Sequence, residues 1–108
     1  MTKIDLLQGT LDMLVLKALS RGPMHGFGVT RWIQQSSDDA LQVEEGSLYP
    51  ALARMEEAGW VRAEWKTTEN KRRARFYEIT AAGLEALREE ESRWTAISAA
   101  IGQVLKEA

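Results

Sequence analysis

A chain of 108 residues, 44% of them hydrophobic, has room for one core, and a core that small gains from a second copy that helps to bury surface. The lack of cysteine excludes disulfides, thiolate metal centres and cysteine catalysis, and it fits a reducing, cytoplasmic setting. The net charge of −2 excludes a uniformly basic nucleic-acid binder, but charge distribution decides where a polyanion can sit.

At the N-terminus, Lys3 and Asp5 stand beside Leu6 and Leu7 with no small-residue cleavage site, and Gly9, Thr10, Asp12 and Lys17 interrupt the apolar run. The segment reads as neither a signal peptide nor a membrane span. Leu6 to Ser20 predicts a helix that is apolar on nearly every side, closed by Gly22-Pro23. Such a helix must be covered all round, and its own domain is expected to cover one side only. A second side, with Leu11 and Leu14 as its candidate interface residues, is left for a partner chain.

His25 to Gln35 predicts a shorter helix, with Phe27, Val29, Trp32 and Ile33 as its apolar positions. Ala40 to Val43 could pair briefly as an edge strand. The next helix is expected to start at Ser47, whose hydroxyl can cap the first turn, and to end at Ala58-Gly59. A turn of a hundred degrees per residue, roughly, places Leu48, Ala51, Leu52 and Met55 on one stripe. Tyr49, Pro50, Ala53 and Arg54 then face the other way, a low-relief surface suited to a DNA groove.

Trp60 to Trp65 and Arg75 to Ile79 flank a polar stretch and read as a β-hairpin with a basic tip. From Trp60 to Tyr77 stand Arg62, Lys66, Lys71, Arg72, Arg73 and Arg75, against only Glu64 and Glu69. A charge run is ordinarily a solvated loop, whereas this clustering favours phosphates. Lys71 and Arg73 are the favoured contacts, and Arg72 is a further candidate for a phosphate or the minor groove. Alternation puts Arg73 and Arg75 on one face and Arg72 on the other.

From Thr80, a plausible cap, the chain reads as helical almost to its end, with Gly83 and Gly102 as weak points. Leu87, Trp94 and Ile101 recur every seventh residue, with Ile97 and Val104 at matching offsets, while Glu90 breaks the pattern. This is a short seam for helix pairing. Acidic residues dominate here, so this end cannot hold DNA. The fold class is mainly α with a small β-hairpin: a winged helix-turn-helix over residues 1–79 and a C-terminal dimerisation helix over 80–108.

Four segments carry a resemblance: Gly9-Thr10-Leu11-Asp12, Gly22-Pro23-Met24-His25-Gly26-Phe27-Gly28, Gly46-Ser47-Leu48-Tyr49-Pro50-Ala51-Leu52 and Asn70-Lys71-Arg72-Arg73-Ala74-Arg75-Phe76-Tyr77. In this order they resemble the PadR family of bacterial transcriptional regulators, and the single C-terminal helix is similar to that family's short members. The resemblance implies a dimeric winged-helix repressor whose C-terminal helices pack against the partner's N-terminal helix. It favours Ser47, Tyr49 and Pro50 near DNA, and Arg54 less directly. It also places His25-Gly26 where helix N–H groups can bind a phosphate, with capping as the alternative.

Trp94 is either packing mass in the dimer seam or a flat wall for an effector, which would be small and aromatic or hydrophobic. The expected function is therefore a homodimeric DNA-binding repressor acting on a palindromic operator in double-stranded DNA. The rival is a winged-helix protein-interaction module that does not bind DNA. A lone histidine without thiols makes a poor metal site, and Gly26-Phe27-Gly28 lacks the strand and third glycine of a dinucleotide site. No metal, cofactor, membrane partner or catalytic residue is expected.

Overall fold

The computed structural model describes residues 8–107. The elements run α1 (Gln8–Leu19), β1 (Met24–His25), α2 (Gly26–Ser36), α3 (Glu45–Glu57), β2 (Val61–Thr67), β3 (Arg73–Ile79) and α4 (Ala81–Lys106). Helices α1, α2 and α3 and the start of α4 enclose the core, and a small antiparallel sheet of order β1-β3-β2 closes it on one side. The N-terminal residues weighed as a signal peptide, and Leu6 and Leu7 of the first predicted helix, lie outside the described residues.

In α1, Leu11, Met13, Val15, Leu16, Ala18 and Leu19 are all buried. The helix touches α2, α3, β3 and α4 within the one chain. Its own domain covers more of it than one side, through α2, α3 and β3, and α4 adds a fourth contact, while Thr10 and Leu14 keep part of their surface. Of its two candidate interface residues, Leu11 is spent in the chain's own core and Leu14 keeps part of its surface. Gly22, at a φ of 143°, turns the chain out of the helix, and Pro23 prevents its continuation.

The third strand was not where the sequence suggested. Ala40–Val43 forms no strand. The free edge of β3 is taken by Met24 and His25 from the α1–α2 connection, which pair with Tyr77 and Phe76. Residues 37–43 are held otherwise: the Ser37 hydroxyl donates to the Ile33 carbonyl and accepts from the Leu41 amide, while Leu41 and Val43 pack on the core. In α2, Val29 and Ile33 are buried and Trp32 is half-buried as expected, but Phe27 is 63% exposed. As the second residue of α2, it points off the end of the helix that meets the hairpin.

The stripe of α3 is as read: Leu48, Ala51, Leu52 and Met55 are buried. Its start is not. The helix begins two residues before Ser47, with Glu44 in the cap position and without a side-chain capping bond; the amides of Ser47 and Leu48 both donate to the Glu44 carbonyl. Pro50 accordingly sits within the second turn rather than the first. Glu45, one residue into the helix, places a carboxylate near the positive end of the helix dipole.

The hairpin is longer than the two flanking runs suggested. Its register extends from Val61↔Ile79 to Thr67↔Arg73. The tip closes as the Thr68 amide donates to the Arg72 carbonyl and the Lys71 amide donates to the Thr68 carbonyl, around a left-handed Lys71 at a φ of 58°. Thr80 caps α4 by accepting from the Gly83 amide and ties back to the Gly59 carbonyl. Gly83 is no weak point. A methyl group there would lie 2.1 Å from the Trp60 carbonyl oxygen, so only glycine permits this approach of helix to hairpin base, and α4 runs on unbroken.

Candidate nucleic-acid interface

The helical turn of α3 sorts its outward residues into three rows. Gly46, Pro50 and Ala53 form an exposed crest opposite the buried stripe. Tyr49 and Glu56 lie on the flank that meets the hairpin, and Ser47 and Arg54 lie on the flank toward α1. Glu56 accepts an ion pair from Arg75 of β3 at 3.1 Å, which fixes the hairpin against α3. On the other flank, Arg54 donates to Asp12 of α1 at 3.1 Å.

That pair corrects one expectation. Arg54 is not free to point outward with Tyr49, because its guanidinium is tied to Asp12 of α1, although its side chain stays 40% exposed; its Nε is buried with no partner among the described residues. Burial pushes the Asp12 carboxyl above its usual value, and the Arg54 charge offsets only part of this rise. Ser47 and Pro50 are exposed on α3 beside Tyr49, as predicted.

His25 caps α2. Its Nδ1 accepts the Gly28 amide at 3.0 Å, which leaves Nε2 to carry the ring hydrogen. Tyr49 lies directly over the first residue of this helix: a methyl group on Gly26 would come within 2.6 Å of the phenol oxygen. Glycine at position 26 therefore lets the start of α2 and the Tyr49 ring share one surface.

Between that surface and the hairpin runs an open groove of about 740 Å³. His25, Gly26 and Tyr49 line one side, and Trp65, Arg72 and Arg73 line the other. Five of the predicted DNA-binding residues are thus brought to one groove from three separate segments. Lys71 stays at the exposed tip outside it, and Trp65 was not among the candidates. The alternation of β2 carries the only sequence signal for Trp65: Val61, Ala63, Trp65 and Thr67 share one face, and the core fills only the first two places.

At the far end of the molecule, Leu87 is buried against the core, but Trp94, Ile97, Ile101, Val104 and Leu105 are 46–79% exposed. A shallow apolar groove of about 410 Å³ lies beside Trp94, walled by Met13 and Thr10 of α1 and by Ile97 and Ile101 of α4. Among the described residues no helix is long and apolar enough to cross a membrane, and no cluster of acidic and histidine side chains could hold a metal ion.

Residues 15–89 match the family described as Transcriptional regulator PadR-like family. The chain belongs to the PadR family. Its fold is shared with a solved transcriptional regulator from Clostridium thermocellum, 26% identical over 92% of this chain and 96% of that one, with a TM-score of 0.83. A PadR-like regulator from Bacillus cereus is 26% identical with a TM-score of 0.79, covering 94% of this chain and 97% of that one. A PadR family regulator from Eggerthella lenta is 33% identical with a TM-score of 0.77, over 94% and 86%. As a PadR protein this is a DNA-binding transcriptional regulator with a winged-helix fold, and not an enzyme.

Proposed function

We propose that the protein is a homodimeric repressor that grips a palindromic operator with one groove from each copy. The observation that carries this reading is the convergence of His25, Gly26, Tyr49, Arg72 and Arg73 on one open groove of a winged helix. The low crest of Gly46, Pro50 and Ala53, with Ser47 beside it, suits close approach to base edges, and the wing cations with Lys71 at the tip suit phosphates. The exposed apolar row of α4 supports self-association through Leu14, Trp94, Ile97, Ile101 and Val104, with residues 80–108 as the dimerisation segment. The groove beside Trp94 fits an effector that is small and aromatic or hydrophobic, and such a ligand would release the operator by altering how the two copies meet.

The test is a mobility-shift titration on the duplex upstream of the protein's own gene, at several salt concentrations. Replacing Arg72 and Arg73 with alanine is expected to reduce the slope of log affinity against log salt by about two. An unchanged slope would remove the wing from DNA. A footprint without two-fold symmetry would sink the palindromic operator.

A further inference from the structure

Trp65 is an exposed tryptophan with no task in the core. On β2 it follows Val61 and Ala63, which meet the core, and its own side chain is 54% exposed. Solvation of a large aromatic surface there does nothing for folding. Its neighbours explain its presence. Arg75 is its direct cross-strand partner and Arg73 its diagonal one, and the two guanidinium carbons lie 5.8 Å and 5.1 Å from the indole centroid. Both distances fall within the range of cation–π attraction.

The two arginines differ in what else holds them. Arg75 is moored on Glu56 of α3, so its charge is already engaged. Arg73 has no carboxylate partner among the described residues, and it lines the same groove as His25 and Tyr49. An arginine stacked face-on against an aromatic ring keeps its N–H edges free, because those donors lie in the guanidinium plane. It can therefore rest on the indole and still offer a forked pair of donors to a phosphate. A long side chain so held loses less rotamer freedom when the phosphate arrives.

We propose that Trp65 is a positioning residue of the wing: it holds the Arg73 guanidinium ready in the groove for a DNA phosphate and does not itself touch DNA. The proposal rests on the DNA-binding groove described above. It names the aromatic platform that gives one wing cation a fixed aim, and it sets Arg73 apart from Lys71, which no aromatic ring among the described residues supports.

The test is a double-mutant cycle on a random-sequence duplex, chosen because phosphates are the ligand, with salt titrations of each variant. Trp65→Ala should weaken binding about two- to fivefold, the equivalent of one exposed cation–π contact. The salt slope should stay at its wild-type value, because Arg73 still reaches its phosphate once bound. Trp65→Phe, which keeps a ring face, should restore affinity to within about twofold of wild type. Arg73→Ala should lower the slope by about one, and in that background Trp65→Ala should have no further effect.

A Trp65→Ala loss of equal size with and without Arg73 would overturn the proposal, since the indole would then act on DNA or on the fold directly. Full affinity in Trp65→Ala would do so as well. If wild-type protein showed no salt-dependent binding to any duplex, the DNA-binding groove itself would fall. That outcome is distinct from a cycle that fails while wild type binds. Melting temperature, read alongside, should not move in Trp65→Ala, and a large drop would make the residue structural.

Discussion

α1 and the second half of α4 are both rich in apolar residues, and they end in opposite circumstances. Around α1, four elements of the same chain leave Val15, Leu16 and Leu19 with essentially no exposed surface. Along α4 the same kinds of side chain are covered only as far as Leu87; Ile101 is 53% and Val104 71% exposed. The difference is not one of hydrophobicity but of company. A helix inside the domain finds neighbours, whereas one that runs past its end leaves its apolar row open, the row on which the proposed self-association rests.

The sharpest way to break the comparison is to remove apolar side chains from each helix, one from α1 and two from α4. Leu16→Ala opens a cavity in a fully covered site and should cost ~2–5 kcal/mol of folding stability at any protein concentration, read by denaturant unfolding. A cost well under ~1 kcal/mol would mean that the core around α1 is loose rather than closed.

In α4 the matching change should leave folding alone and affect assembly. Ile97→Asp combined with Ile101→Asp should raise the dimer dissociation constant more than about tenfold, since burial of one aliphatic side chain is worth ~1.5–3 kcal/mol. Sedimentation across a dilution series checks this, with melting of the dilute protein as the control. A variant that sediments like wild type would show that the exposed row of α4 is not where copies meet.

The smallest effect lies between the two helices and the reading head. Burial raises the Asp12 carboxyl above its usual 3.8 even with Arg54 beside it. A carboxyl that holds its proton more tightly when folded adds stability while protonated, and that contribution is lost as pH rises through the folded-state value. Stability of the wild type minus that of Asp12→Asn should therefore fall with rising pH, beginning near 3.8, and level off above the raised value. A difference that instead grew with pH would mean that the Arg54 ion pair outweighs burial.

Local rules made much of this legible. The stripe of Leu48, Ala51, Leu52 and Met55, the Thr80 cap and the hairpin all follow from periodicity and capping chemistry, and the structure shows each of them. What the sequence hid was settled between distant residues. Two residues of a loop, Met24 and His25, are too short to signal a strand, and only the open edge of β3 makes them one. Ser47 looked like a cap because its hydroxyl suits that position better than a glutamate does, yet the helix starts at Glu44 without any side-chain cap, so the capping rule pointed to the wrong residue. Arg54 lies 42 residues from the aspartate that holds it, and Trp65 gained its meaning from arginines on the facing strand. Of the groove, the residue types were readable, and their convergence was not.

The close approach of Gly83 to the Trp60 carbonyl makes α4 a lever with its fulcrum at the base of the wing. Of the 26 residues of α4, those beyond Gly83 form an arm about 35 Å long, so a tilt of about five degrees at Gly83 carries the far end about 3 Å. In the two-fold assembly proposed above the far ends are held together, and the same tilt appears instead as a change in separation of the two reading heads. A methyl group at position 83 would thus do more than crowd a carbonyl: in that assembly it would re-set the gauge between half-sites.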